Sequence, residues 1–162
     1  MKALLIDDHP MVNSGLASIL EEIRNFSVAG QVNTLADAKE FIMTRKNDLP
    51  SIILLDVMLG DENGLDFLPF LENFCKENNT QAPPVLVCSV LEEPFRIQSA
   101  LKLGASGYIP KTGSKTELLE AIDIVLRGKI YLSEKHSEEI KKSYGLYAKF
   151  TKREMEIFSE NL

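Results

Sequence analysis

Five short apolar runs, each followed by a segment of helical spacing, constrain this chain more than any other feature. The runs are Ala3–Ile6, Val28–Val32, Ile52–Leu55, Val85–Val90 and Gly107–Ile109. Most are rich in branched apolar residues, as strands buried on both faces of a parallel sheet should be. Between them lie helical stripes. Val12, Leu16, Ile19, Leu20 and Ile23 form one; Leu35, Ala38, Phe41 and Ile42 a second; Leu118, Ile122, Val125 and Leu126 the cleanest. The stripe from Pro94 to Leu103 is weak, and the helix after Gly64 contains Pro69, which fits only if that helix starts late or bends. The alternation implies βαβ units with right-handed crossovers and a parallel sheet covered on both faces. Ligands of such sheets sit outside the carboxyl ends of the strands, at the topological switch point.

Those strand ends carry polar residues. The first run ends in Asp7-Asp8, the third in Asp56 and the fourth in Ser89, and the fifth is followed by Lys111. Three carboxylates at one sheet edge repel one another, and a divalent cation relieves the repulsion. Mg²⁺ suits the set, because it takes oxygen ligands from one or two carboxylates together with waters and a phosphate. A lysine and a hydroxyl beside them can bind the remaining oxygens of a phosphoryl group. Phosphoryl transfer needs mainly positioning and charge neutralisation, so a carboxylate nucleophile with these neighbours suffices.

In this arrangement the chain resembles the receiver domain of bacterial two-component response regulators, over roughly residues 1–128. The resemblance implies a five-stranded, parallel, doubly wound (flavodoxin-like) α/β fold. It implies that a sensor histidine kinase phosphorylates Asp56, that Asp8 and Asp56 ligate Mg²⁺ directly, and that Asp7 acts mostly through water. It also implies that the Met58 backbone carbonyl is a ligand, that Ser89 is the switch hydroxyl, that Lys111 pairs with the phosphoryl group, and that Tyr108 is the rotating aromatic. The chain is then a regulatory switch and not an enzyme.

Three positions depart from the family's common pattern. Gly60 stands where proline is usual and adds backbone freedom to the loop from Val57 to Gly64. Thr112 follows Lys111 where many receivers have a proline with a cis bond, and no cis bond is inferred at a non-proline residue. Val90 follows Ser89 where a smaller residue is common, and it is expected to narrow access to the phosphoryl group. His9 is read as a structural residue of the Asp-Asp-His-Pro turn. Two rival functions fit the residues less well. A haloacid-dehalogenase-like phosphatase wants Asp-x-Asp on its first strand, whereas here Asp7 and Asp8 are adjacent and Pro10 stands two after Asp8. A phosphorylation-independent interaction module would have no need of the complete residue set.

The 162 residues leave room for one domain and an appendage. With 44% hydrophobic and 26% charged residues the composition is globular. No apolar run approaches the ~18 residues that would suggest a membrane span. At the N-terminus only Ala3 to Ile6 precede acidic residues, too few for the core of a signal peptide. Cys75 and Cys88 fit no metal or redox spacing and read as reduced packing residues of a cytoplasmic protein. The formal charge of −6 makes the body a poor nucleic-acid binder by itself. The charge reverses between Lys135 and Arg153, which marks a second segment.

Residues 129–149 are expected to be a partly helical linker. Gly128-Lys129-Ile130-Tyr131-Leu132-Ser133 is similar to the receiver exit of regulators with a LuxR-type helix-turn-helix. From Phe150, the pair Thr151 and Glu154 forms a capping box. Residues 150–162 resemble the opening helix of that DNA-binding domain. One helix is not a helix-turn-helix, so specific DNA binding is expected only through a full-length C-terminal domain, and the chain is expected to be a piece of a longer transcription regulator. A homodimer is a possible output, and no membrane partner is expected.

Overall fold

The structure, a computed structural model, describes residues 1–144. The 150–162 helix and the capping box of Thr151 and Glu154 lie outside the described residues.

The expected strands form in order: β1 (Lys2–Ile6), β2 (Ser27–Val32), β3 (Ile52–Leu55), β6 (Val85–Ser89) and β7 (Gly107–Pro110). Between β3 and the next helix a small hairpin intervenes, formed by β4 (Met58–Leu59) and β5 (Glu62–Asn63). The helices are α1 (Pro10–Glu21), α2 (Leu35–Thr44), α3 (Phe67–Glu77), α4 (Pro94–Lys102), α5 (Lys115–Leu126) and α6 (Glu134–Tyr144). The main sheet has six strands rather than the five expected, in the order β2-β1-β3-β6-β7-β8. The sixth, β8 (Tyr131–Leu132), pairs parallel to β7. Its two residues are too few to show a strand periodicity. All the pairings in this sheet are parallel.

Side chains alternate across the sheet as a period of two requires. Leu4, Ile6, Ile53, Leu55, Val85 and Val87 face α2, α3, α4 and α6. Ala3, Leu5, Ile52, Leu54, Leu86 and Cys88 face α1 and α5. Each fully buried Leu or Ile contributes about 1.5–3 kcal/mol relative to exposure, so the two clusters hold the sheet from both sides. Thr34 caps α2 by accepting from the Asp37 amide, and Ser114 caps α5 through Glu117. Helix α3 does start late: a 3-10 turn over Gly64–Asp66 precedes it, and Pro69 sits in its first turn, where no intrahelical amide is lost.

Helix α1 packs its expected stripe on the core: Leu20 is fully buried, and Leu16, Ile19 and Ile23 lie half-buried against the same cluster. The buried face also takes in Ala17 and the polar Asn13. Asn13 has a partner there. Its Nδ2 donates to the Asp7 carbonyl at 2.8 Å, which turns that side of the helix toward the β1 terminus.

Candidate functional site

The sheet brings Asp7, Asp8, Asp56, Ser89 and Lys111 to one edge. Ile6 pairs with Leu55, so Asp7 and Asp56 leave adjacent strands side by side. Ser89 pairs with Pro110, and the Lys111 amide donates to the Ser89 carbonyl at 2.9 Å. Strand order reverses about β1 and β3, so this edge is the switch point where such folds bind ligands.

Lys111 reaches across the pocket. Its Nζ lies 2.6 Å from Asp7 Oδ2 and 2.7 Å from Asp56 Oδ2, with its side chain only 9% exposed. Burial works against its charge, and hydrogen bonds to Asp56 and Asp7 more than offset that, so its pKa is raised. For Asp56 the balance falls the other way. Burial pushes its carboxyl above the usual range, and the Lys111 hydrogen bond only partly counters this. Asp56 is therefore a buried carboxylate kept next to a permanent cation, in a position to act as a nucleophile. Its Oδ1 also accepts from the Met58 amide at 3.3 Å.

The acidic pair divides by environment. Asp7 is buried and both its oxygens have protein partners: Oδ2 meets Lys111, and Oδ1 accepts from the His9 amide at 2.8 Å. Asp8 is more open. Its Oδ2 accepts from the Gly60 amide at 2.8 Å, and its Oδ1 is met only by the His9 ring, at 2.9 Å. Ligand atoms of Asp7, Asp8, His9 and Asp56 all lie within 4.8 Å of one another. Three carboxylates this close, one of them with an oxygen that no backbone amide or lysine answers, fit a hard divalent cation such as Mg²⁺.

The loop after Asp56 is built for this approach. Gly64 passes directly behind Asp56, where a Cβ would lie 1.9 Å from the Asp56 carbonyl oxygen, and its amide donates to the Val57 carbonyl at 2.6 Å. Gly60 has φ +59 in the two-residue turn between Leu59 and Glu62, a conformation closed to proline. The added backbone freedom is thus spent on a tight hairpin whose turn amide ties down Asp8. Among the described residues there are no cis peptide bonds, the Lys111–Thr112 bond included.

Ser89 is fully buried and its Oγ accepts from the Leu91 amide at 3.1 Å. Tyr108 is also fully buried, turned inward, with its hydroxyl donating to the Leu91 carbonyl. Burial pushes its phenol up to about 12, and a hydrogen bond with Ser89 pulls the other way. Val90 is 60% exposed and lines the pocket mouth with Met58, Val12 and Gly60. The His9 backbone forms the expected turn, and its ring lies against the acidic pair. Nδ1 lies 3.0 Å from Asp7 Oδ1, 2.9 Å from Asp8 Oδ1 and 4.0 Å from Asp56 Oδ2, while the side chain remains 61% exposed. Asn13 was missed; the only signal was a polar residue inside an apolar helical stretch.

The description of the response regulator receiver domain matches residues 3–123. The chain belongs to that family. It is 30% identical over 161 residues to the response regulator protein VraR of Staphylococcus aureus, covering 97% of this chain and 73% of that one. It is 31% identical over 133 residues to the transcriptional regulatory protein MctR of Rhizobium johnstonii, covering 82% of this chain and 58% of the relative. A crystal structure of a LuxR-family two-component response regulator from Aurantimonas shares the fold, with a TM-score of 0.78 at 23% identity, over 89% of this chain and 97% of that one. No helix among the described residues is long and apolar enough to cross a membrane.

Proposed function

We propose that this receiver accepts a phosphoryl group on Asp56 from a sensor histidine kinase and thereby switches a transcriptional output. The observation that carries the reading is the Asp56 carboxylate, buried at the end of β3 with Lys111 Nζ 2.7 Å from one oxygen. An Asp56 oxygen attacks the phosphorus of the kinase's phosphohistidine. The P–N bond breaks, a P–O bond forms, and the imidazole keeps the electron pair and then takes a proton. The product is an acyl phosphate. Lys111 holds its protons throughout and donates to the phosphoryl oxygens. Ser89 supplies a hydroxyl donor from the neighbouring strand. Asp8, Asp56 and the Met58 carbonyl would hold Mg²⁺, with Asp7 acting through water. When bound, the ion neutralises charge on the transferring oxygens.

The added charge, about −1.5 to −2 at neutral pH, draws Ser89 and Lys111 toward Asp56 and shifts the face formed by α4 and β7. This is a two-state population shift. Its output is dimerisation, or release of a DNA-binding domain in the full-length regulator. The domain limits expected from the sequence, a receiver to residue 128 and a linker beyond it, belong to this proposal too.

Incubation with acetyl phosphate and Mg²⁺, followed by intact mass measurement, tests the reading. One phosphoryl group per chain is expected, absent from Asp56→Asn and absent when EDTA removes the metal. An unlabelled wild-type chain would overturn it. Continuous release of phosphate over many turnovers would point instead to a phosphatase.

A further inference from the structure

Helix α6 is a polar helix packed on α4. Its buried side chains are His136, Ser137 and Ile140. Ile140 joins the core cluster that also holds Tyr108, Ile97 and Leu132. Gln98 on α4 donates from Nε2 to Ser143 Oγ at 3.0 Å. His136, whose side chain is 1% exposed, contributes further contacts. Its Nε2 lies 2.9 Å from Glu92 Oε1, and its ring meets the Tyr108 ring edge-on, at 6.2 Å between centroids and 85° between planes.

These two partners belong to the phosphoryl pocket's own wiring. Ser89 accepts from the Leu91 amide, Tyr108 donates to the Leu91 carbonyl, and Glu92 follows next in the chain. One four-residue stretch, from Ser89 to Glu92, therefore touches the pocket at one end and α6 at the other. The docking is also imperfect. His136 Nδ1 and Ser137 Oγ are buried without hydrogen-bond partners. Each such atom costs about 1–3 kcal/mol, and a single fully buried aliphatic side chain, Ile140, offsets them. A short helix held this weakly sits at the low-stability end of a fold.

We infer that α6 is a latch on the switch face, clasped by His136 to Glu92 and Tyr108, and that the state of Asp56 sets how tightly it closes. The inference rests on the phosphoacceptor reading above. Drawing Ser89 toward a phosphoryl group moves the Leu91 peptide and leaves the space behind it to the Tyr108 ring, which already points inward. The inward ring is the surface that His136 packs on. Phosphorylation therefore tightens α6. By reciprocity of coupling, a docked α6 shifts the equilibrium toward the phosphorylated form. The chain leaving the receiver is thus held to the switch face in one state and freed in the other.

Hydrogen exchange on the full chain, with and without acetyl phosphate and Mg²⁺, tests this, with intact mass measured in parallel. Peptides covering 134–144 are expected to exchange about tenfold more slowly once the label is in place, within the usual range of coupling. Glu92→Ala, a change in a partly exposed loop residue, is expected to take the label and lose the added protection. His136→Ala should do the same, and the double variant should add nothing to either single change. A labelled wild type whose 134–144 exchange is unchanged or faster would overturn the latch and leave the phosphoacceptor standing. A wild type that takes no label would overturn both.

Discussion

The acidic pocket at the strand ends and the α6 contact bury polar groups in opposite ways. In the pocket, Lys111 answers Asp7 and Asp56 at once, and backbone amides of His9, Gly60 and Met58 answer the remaining carboxylate oxygens save one. Under α6, His136 has one partner for two ring nitrogens, and the Ser137 hydroxyl has none. A pocket paired in this way is rigid before any ligand arrives, which is what transfer by positioning requires. A contact with orphaned polar atoms is the more easily opened of the two. The difference shows where this fold keeps its geometry fixed and where it leaves room for change.

Changes at the two places should differ in kind. The largest expected effect is Lys111→Ala. It strands two buried carboxylates, and breaking a buried pair costs about 3–5 kcal/mol. Urea unfolding should show the loss across the whole domain. Ile140→Ala comes next, at about 2 kcal/mol, the lower end for a buried Ile. Here the loss should be local. Exchange should rise in 134–144 while the main sheet's slowest amides are unaffected; a fall in global stability would mean α6 is part of the cooperative unit.

A smaller effect with a definite sign concerns Asp56. Its carboxyl has a raised pKa in the folded state, chiefly through burial. Such a group stabilises the fold below the ordinary carboxylate pKa, and that contribution is lost as pH rises through the folded value. Asp56→Asn should therefore unfold at a higher temperature than wild type at pH 7. The gain should vanish below about pH 4, where the wild-type group is protonated in both states. A variant less stable at pH 7 would show that pairing with Lys111 outweighs burial. The smallest effect is at the pocket mouth. Val90→Ala should speed autodephosphorylation about threefold, a barrier change of about 0.6 kcal/mol. Equal rates would show that Val90 does not screen the acyl phosphate from water.

The same contrast explains what could be read from the sequence. Asp7, Asp8, Asp56, Ser89 and Lys111 each sit at or just past the end of a buried apolar run, so finding the strands placed them along one edge. The structure brings them to that edge. Their chemical roles rest on the proposed function. The His9 ring and Asn13 escaped because they act through the turn and the first helix, where a single polar residue resembles a solvated one. The apolar stripe of α1 does pack on the core, and Asn13 joins its buried face through a hydrogen bond to the Asp7 carbonyl that no apolar periodicity signals. Strand β8 is too short to show a pattern. The Tyr131–Leu132 pair and the few apolar residues of α6 gave no sign that this stretch would fold back against α4.

The close passage of Gly64 behind Asp56 bears on how such a site could be transplanted. Asp56 is hemmed in on its carbonyl side by a residue eight positions on, and Gly60, between them, holds Asp8. An aspartate grafted onto another sheet edge would have the right side chain but neither of these restraints. The smallest portable unit is the continuous segment from Asp56 to Gly64, with both glycines in place.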